Sequence, residues 1–162
     1  MRFGRLRYRH ATKTTFVLLW NADSHVIDFA LYRRRGSGAF RLVAMPSGAH
    51  VVCDMALSSD QRTLWVSVWK LSADRMGMNW GALYSLDVAK DERMALLNKQ
   101  FVTRKGATVR IERLLGHTDG AHLLATVRVQ GDLSRDFYFA RLPSGRARTV
   151  ELLGSWPLGR RW

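Results

Sequence analysis

Three segments of the chain repeat one pattern, and this repeat constrains the fold more than any other sequence feature. In each segment an apolar run leads into a polar turn that holds an Asp, and a second apolar run follows. The segments are Val17–Leu31, Asp54–Val68 and Arg113–Val127, with Asp23, Asp60 and Asp119 at equivalent turn positions. An Asp in such a turn accepts hydrogen bonds from the backbone N–H groups that follow it. The repeat therefore predicts β-hairpins whose aspartates need no catalytic role.

Further apolar stretches follow the hairpins and predict additional strands. They are Phe40–Met45, Leu83–Val88 and Phe137–Leu142, and two units add Met94–Val102 and Thr149–Leu153. The first and third stretches end in Pro-Ser-Gly, which favours a turn because Pro fixes φ and Gly accepts positive φ. The best helical alternative is Met94–Gln100. The pattern predicts an all-β chain, an antiparallel meander of about 11–12 short strands rich in Val, Leu and aromatic residues.

The hairpin units resemble β-propeller blades of the TolB and WD-repeat kinds, which combine a strand, a Ser-x-Asp-Gly turn and further strands. The matching segments are Leu57–Leu64, His117–Leu124 and Leu83–Val88. The Asp positions are 37 and 59 residues apart, only Asp119 is followed by Gly, and Trp-Asp pairs are absent. The resemblance implies a partial β-propeller in a single all-β domain, residues 1–162, with blade-like units at about 14–48, 50–102 and 107–154.

Three blade-like units are too few to close a propeller, which typically has about four to eight blades. One solution is a homodimer that completes a six-bladed ring, with the strand at Arg2–Arg9 closing a seam. The other is a β-sandwich or an open barrel formed by one chain. In either case the Arg-rich strand suits a sheet edge, because charged side chains there discourage pairing with other chains.

Basic side chains outnumber acidic ones and are concentrated at the two ends of the chain. The 162 residues include 26 Lys and Arg against 13 Asp and Glu, a net charge of +13. Residues 1–50 hold nine basic and two acidic side chains, and residues 146–162 hold four and one. Arg exceeds Lys by 21 to 5. An Arg-favouring genome would explain that ratio, but it does not account for the excess of base over acid.

The arginine clusters are the candidate binding residues, because guanidinium groups pair with phosphate or carboxylate and stack on planar rings. Three of them precede the Gly36–Gly38 turn and are expected to crowd one loop. Arg104 with Lys105, and Arg146 with Arg148, form smaller clusters. The candidate polyanion contacts are Arg33, Arg34, Arg35, Arg2, Arg5, Arg7, Arg9, Arg160 and Arg161, with Tyr8, Tyr32 and Trp162 as aromatic contacts.

No sequence motif indicates a reaction. The patterns of a nucleophile elbow, a Walker loop and a dinucleotide fingerprint are absent. Two small groups of possible metal ligands lack the stereotyped spacing of a zinc site. One is His117 with Asp119 and His122, and the other is His50 with Cys53 and Asp54. The lone cysteine excludes an intrachain disulfide. We therefore predict no catalytic residue, no metal and no cofactor, and a non-catalytic role is favoured.

Two functions from different classes stay open. The favoured one is a binding or assembly module whose Arg-rich surface contacts nucleic acid or an acidic protein. The alternative is a carbohydrate-binding or hydrolytic propeller-like protein with a central or cleft site. Four tryptophans could line such a site, although core packing is the favoured use of Trp65, Trp69, Trp80 and Trp156.

The sequence also bears on location. No apolar stretch approaches the roughly 20 residues of a membrane span, and no secretory signal is present. We therefore expect a cytoplasmic protein with no membrane partner. Organelle targeting by the Arg-rich N-terminus is the alternative, but the alternation of Arg5, Arg7 and Arg9 with Leu6 and Tyr8 favours a strand.

Overall fold

The computed structural model describes residues 3–11, 13–21, 28–43, 50–71, 78–90, 95–98, 100–119, 122–131 and 137–156. Within these residues the chain forms thirteen strands and no helix, which confirms the predicted all-β fold. The strands are β1 (Phe3–Ala11), β2 (Thr14–Asn21), β3 (Asp28–Arg35), β4 (Arg41–Leu42), β5 (His50–Leu57), β6 (Thr63–Leu71), β7 (Met78–Asp87), β8 (Ala95–Asn98), β9 (Phe101–Val102), β10 (Thr108–Asp119), β11 (His122–Val129), β12 (Phe137–Pro143) and β13 (Glu151–Trp156). No helix in this part of the chain is long and apolar enough to cross a membrane.

The strands form three antiparallel sheets, each a meander in which neighbours along the chain are also hydrogen-bonded neighbours. The first sheet contains β1 to β4, the second β5 to β8, and the third β9 to β13. Strand β1 lies at an edge of the first sheet, where the sequence predicted the Arg-rich strand, and it gives that sheet its fourth strand. Strand β9 pairs with β10, so residues 101–102 belong to the third sheet.

The second sheet lies between the other two because both of its faces are apolar. Leu64, Val66 and Val68 of β6 pack in one core with residues of the first sheet. Trp65 and, on β7, Leu83 pack in a second core with residues of the third sheet. Successive side chains of a strand point to opposite faces, so a strand that is apolar at nearly every position is buried on both sides.

The third sheet curls until its first strand meets the segment that leads into its last one. The N–H of Val102 in β9 donates to the carbonyl of Arg148 at 3.0 Å, and the N–H of Val150 donates to the carbonyl of Val102 at 2.8 Å. Along Leu123–Val127 of β11, buried residues alternate with half-buried ones. One face of the curled sheet is therefore core, and its two ends are joined at residues 102 and 148–150.

The turn of the second hairpin confirms the structural role predicted for its aspartate. Oδ1 of Asp60 accepts hydrogen bonds from the Ser58 hydroxyl at 2.6 Å and from the N–H of Arg62 at 3.0 Å. These two hydrogen bonds lower the pKa of Asp60. Asp119 is the last residue of β10, and Asp23 lies outside the described residues.

The structure corrects two predicted elements, one in its length and one in its type. Of the strand predicted at Phe40–Met45, the described part contains only Arg41–Leu42, whose side chains are exposed. The helical alternative at Met94–Gln100 is wrong over its described core, because Ala95–Asn98 forms β8 and pairs with β7. A helix there would leave the edge of β7 without the backbone partners that β8 supplies.

Candidate polyanion-binding surface

Arg33, Arg34 and Arg35 are the last three residues of β3, so they lie on a strand and not in the loop that the sequence predicted. In the β2–β3 register they stand opposite Phe16, Thr15 and Thr14, respectively. Consecutive strand residues point to opposite faces of a sheet. The three guanidinium groups therefore do not form one cluster: Arg33 and Arg35 share the face that packs on the second sheet, and Arg34 lies on the outer face.

Arg33 and Arg35 connect the first sheet to the second. Nη1 of Arg33 donates to the carbonyl of Lys90 at 2.6 Å, and Nη2 of Arg35 donates to the carbonyl of Ala89 at 2.5 Å. Both carbonyls belong to the turn that follows β7. Burial, together with the positive charges of Arg35 and Arg41, lowers the pKa of Arg33. These two arginines thus have a structural role in addition to any role in binding.

Arg34 lies over the ring of Phe40 on the outer face, with 4.7 Å between its Cζ and the ring centroid. Phe40 is 44% exposed, and Leu42, two residues further on, is 64% exposed. Tyr32 stands opposite Leu42 in the β3–β4 register, so these side chains share the face of Arg34. We call Tyr32, Arg34, Phe40 and Leu42 the arginine–aromatic surface. It combines a stacked cation with accessible apolar area.

The N-terminal strand lies in the same sheet, two strands away from β3. Tyr8 stands opposite Val17, and Val17 stands opposite Tyr32, so the two predicted aromatic contacts of this sheet occupy one row across it. The predicted arginines of β1 stand opposite residues of β2, with Arg5, Arg7 and Arg9 facing Trp20, Leu18 and Phe16. The remaining predicted contacts lie outside the described residues: Arg2, Arg160, Arg161 and Trp162.

Phe40 and Leu42 belong to the surface but escaped the sequence-based prediction. The sequence places them in an apolar strand, which favours burial, whereas β4 is a two-residue strand at the edge of the sheet. One signal could have revealed them. Phe40 and Leu42 flank Arg41 directly after a turn preceded by three arginines, so the apolar residues are interleaved with cations.

Most members of the two predicted metal-ligand groups have side chains outside the part of the chain that the structure describes, namely His50, Cys53, His117 and Asp119. Among the described side chains, no group of three or more His, Cys, Asp and Glu comes together. Asp54 is buried, and its carboxylate accepts hydrogen bonds from the N–H of Met55 at 2.8 Å and from the N–H of Leu114 at 3.0 Å. The carboxylate of Asp54 is thus used by backbone donors.

Trp65 packs in the core between the second and third sheets and is only 7% exposed. Its burial agrees with the predicted core role and removes it from any sugar-binding surface.

Comparison of the chain with protein-family models, with curated proteins and with solved structures finds no match. The candidate function therefore rests on the chemistry of the arginine–aromatic surface.

Proposed function

We propose that this protein is a non-catalytic binding module that holds a polyanion on the arginine–aromatic surface of its first sheet. The observation that carries the proposal is the guanidinium of Arg34 over the partly exposed ring of Phe40. A guanidinium that lies on a ring keeps N–H groups at its rim, where they can donate to phosphate oxygens. The exposed part of the ring, with Leu42 beside it, offers an apolar platform next to this cation.

Single-stranded nucleic acid fits this surface better than an acidic protein does. The bases of a single strand stack on aromatic rings while its phosphates pair with arginine. An acidic peptide would use the charge of Arg34 but would leave the exposed area of Phe40 and Leu42 uncovered. The net charge of +13 adds long-range attraction for either partner. An acidic protein partner is therefore the second form of the same proposal.

We infer that the three sheets form half of a propeller-like ring. Each sheet is a meander, and β5 contacts β1 of the first sheet and β10 of the third. The first long strands of successive sheets thus lie side by side, as in adjacent blades. Arg34 and Phe40 flank the turn between β3 and β4, at the end of the sheet, so ring closure leaves them accessible. A cytoplasmic location is part of this proposal, because nucleic acid is available there.

The proposal is tested by fluorescence anisotropy with a labelled single-stranded oligonucleotide of about 12 nucleotides. Arg34→Ala and Phe40→Ala should each weaken binding by about five- to tenfold, since each removes one half of the cation–ring pair. Wild-type affinity should fall steeply between about 50 and 200 mM salt, because phosphate contacts release counterions.

The matched control is Arg62→Ala, which removes an equal charge from an exposed turn of the second sheet. Its effect on oligonucleotide affinity should be small. If Arg34→Ala and Arg62→Ala weaken binding equally, the arginine–aromatic surface is not the binding site. Displacement of the oligonucleotide by poly-glutamate as readily as by unlabelled oligonucleotide would favour an acidic protein as the partner.

A further inference from the structure

Two segments that are about forty residues apart in the sequence meet where the third sheet closes. Arg104 and Lys105 lie in the turn between β9 and β10. Arg146 and Arg148 lie in the segment before β13, and the carbonyl of Arg148 accepts the N–H of Val102 at 3.0 Å. The closure of the curled sheet therefore places the turn with exposed Arg104 and Lys105 beside residues 150–152 at the start of β13.

A cavity of about 500 Å³ opens beside this basic region. Its walls combine the turn after β9 with the end of β11, the start of β12 and the start of β13. The lining includes the cations Arg104 and Lys105, the ring of Tyr138 and the apolar side chains of Val129 and Leu152. Small-molecule sites are typically cavities of roughly 300–1,000 Å³ with apolar walls and a few polar groups that fix orientation.

The turn that carries the two cations is held in one conformation by its own hydrogen bonds. The N–H of Thr103 donates to the carbonyl of Ala107 at 2.8 Å, and the N–H of Ala107 donates to the Thr103 hydroxyl at 3.1 Å. Gly106 has a φ of +84°, a backbone conformation that side-chain-bearing residues rarely adopt. The turn is thus ordered before any ligand binds, which lowers the entropic cost of binding.

The charges around the cavity favour an anion. Among the described residues that line it, the one carboxylate is that of Glu151, which is paired with Nη1 of Arg141 at 2.9 Å. Arg104 and Lys105 make no hydrogen bond or ion pair with another described residue, and both are exposed. Their donors are therefore available to an incoming ligand.

We propose that this cavity binds a small organic phosphate that carries an aromatic ring. Arg104 and Lys105 hold the phosphate at the mouth, and the ring lies in the cavity between Tyr138 and Leu152. Guanidinium and ammonium groups both recognise phosphate, and an aromatic side chain offers a stacking face for a planar ring. The site lies on the third sheet and is separate from the arginine–aromatic surface of the first.

Isothermal titration calorimetry of the full chain tests the proposal, with AMP as the probe. Ribose 5-phosphate, which lacks the aromatic ring, and adenosine, which lacks the phosphate, should each bind more weakly than AMP. The double variant Arg104→Ala/Lys105→Ala should weaken AMP binding by about tenfold or more, because charge-assisted hydrogen bonds to the phosphate are lost. Leu152→Trp, which fills the cavity from an exposed strand position, should abolish binding.

Two controls make the outcome decisive. Arg62→Ala/Lys90→Ala also removes one arginine and one lysine charge, but from the second sheet, and should leave AMP affinity unchanged. Arg34→Ala/Phe40→Ala, which disables the proposed nucleic-acid surface, should also leave it unchanged, so the two proposals fail independently. The inference is overturned if AMP does not bind at millimolar concentration, if adenosine binds as tightly as AMP, or if Arg104→Ala/Lys105→Ala binds AMP like the wild type.

Discussion

At the scale of single residues, Asp54 joins two sheets through its side chain. It is 1% exposed on β5, and one carboxylate oxygen accepts the N–H of Leu114 in β10. The other oxygen accepts the N–H of Met55. Strand β5 has a bulge between Val52 and Asp54, and bulges re-aim the side chains beside them. The carboxylate can therefore reach across to a strand that its own sheet does not contain.

Replacing Asp54 tests this role. Asp54→Ala leaves two buried N–H groups without their acceptor, and each unsatisfied group costs about 1–3 kcal/mol. We expect the free energy of unfolding to fall by about 3 kcal/mol in Asp54→Ala and by less in Asp54→Asn, whose amide oxygen still accepts one hydrogen bond. Urea denaturation followed by tryptophan fluorescence measures both changes.

Asp60→Ala is the matched control for Asp54→Ala, because Asp60 also accepts a backbone N–H but lies in an exposed turn. Water can satisfy the freed N–H there, so the expected change is about 1 kcal/mol or less. A loss of stability in Asp54→Ala no larger than that in Asp60→Ala would contradict the cross-sheet role of Asp54.

At the scale of elements, β3 uses its two faces for different purposes. Its inner face carries Arg33 and Arg35, which donate to carbonyls of the turn after β7. Its outer face carries Arg34, which lies over Phe40. The alternation of side chains along a strand therefore separates three consecutive arginines into an anchor between sheets and part of the proposed binding surface.

The double variant Arg33→Ala/Arg35→Ala should loosen the first sheet from the second. We expect the free energy of unfolding to fall by about 1–2 kcal/mol. This is at the low end for hydrogen bonds from charged donors, because both side chains are partly in water. Native-state hydrogen exchange should show faster exchange in β2 and β3, with β10 and β11 of the third sheet unaffected.

The matched control is Arg34→Ala/Arg41→Ala, which removes two charges from the same sheet. It should leave exchange in β2 and β3 close to that of the wild type while weakening oligonucleotide binding. Equal exchange rates in the two double variants would show that Arg33 and Arg35 do not anchor the first sheet.

At the scale of the whole molecule, the proposed half-ring leads to a prediction about assembly. Two chains of 18.5 kDa should combine, so that six sheets close the ring, and light scattering coupled to size exclusion should give twice the mass of one chain. The part of the outer face of the first sheet around half-buried Val17 would then pack against the partner, and the end of the sheet that carries Arg34 and Phe40 would stay accessible. Val17→Lys should shift the protein to the monomer, because it would bury a charge in that contact.

Leu153→Lys is the control for Val17→Lys. It adds the same charge at an exposed position of β13, the edge strand of the third sheet, and should leave the dimer intact. A wild-type mass of one chain would contradict ring closure by two chains and would favour three sheets that act alone.

Local sequence patterns predicted most of the strands but not the partners of the short ones. Leu83–Val88 and Phe137–Leu142 lie within or overlap β7 and β12, because period-two and β-rich patterns report directly on strand structure. The stretch Met94–Val102 is divided instead. Residues 95–98 pair with β7, while residues 101–102 pair with β10. Pairing depends on which edge is free in space, and a local pattern contains no information about that.

The candidate site was predictable to a similar extent. Arg33–Arg35 and Tyr32 were candidates from the sequence alone, because a run of three arginines with an adjacent tyrosine is a local pattern. The exposure of Phe40 and Leu42 was not predictable, since their apolar character favours burial and only the edge position of β4 exposes them. The distinct roles of Arg33 and Arg34 likewise depend on the register with β2 and on the neighbouring turn.

The sequence by itself determined the all-β fold, the turn role of Asp60 and the uneven distribution of positive charge, because each follows from residues close together in the chain. Only the tertiary structure decided that the second sheet lies between the other two. It also decided that Asp54 bridges to Leu114, and that the turn with Arg104 and Lys105 lines one cavity with residues 150–152. Those features arise from contacts between residues tens of positions apart, and the curl and stacking of the sheets, which bring them together, are set by packing of the whole chain.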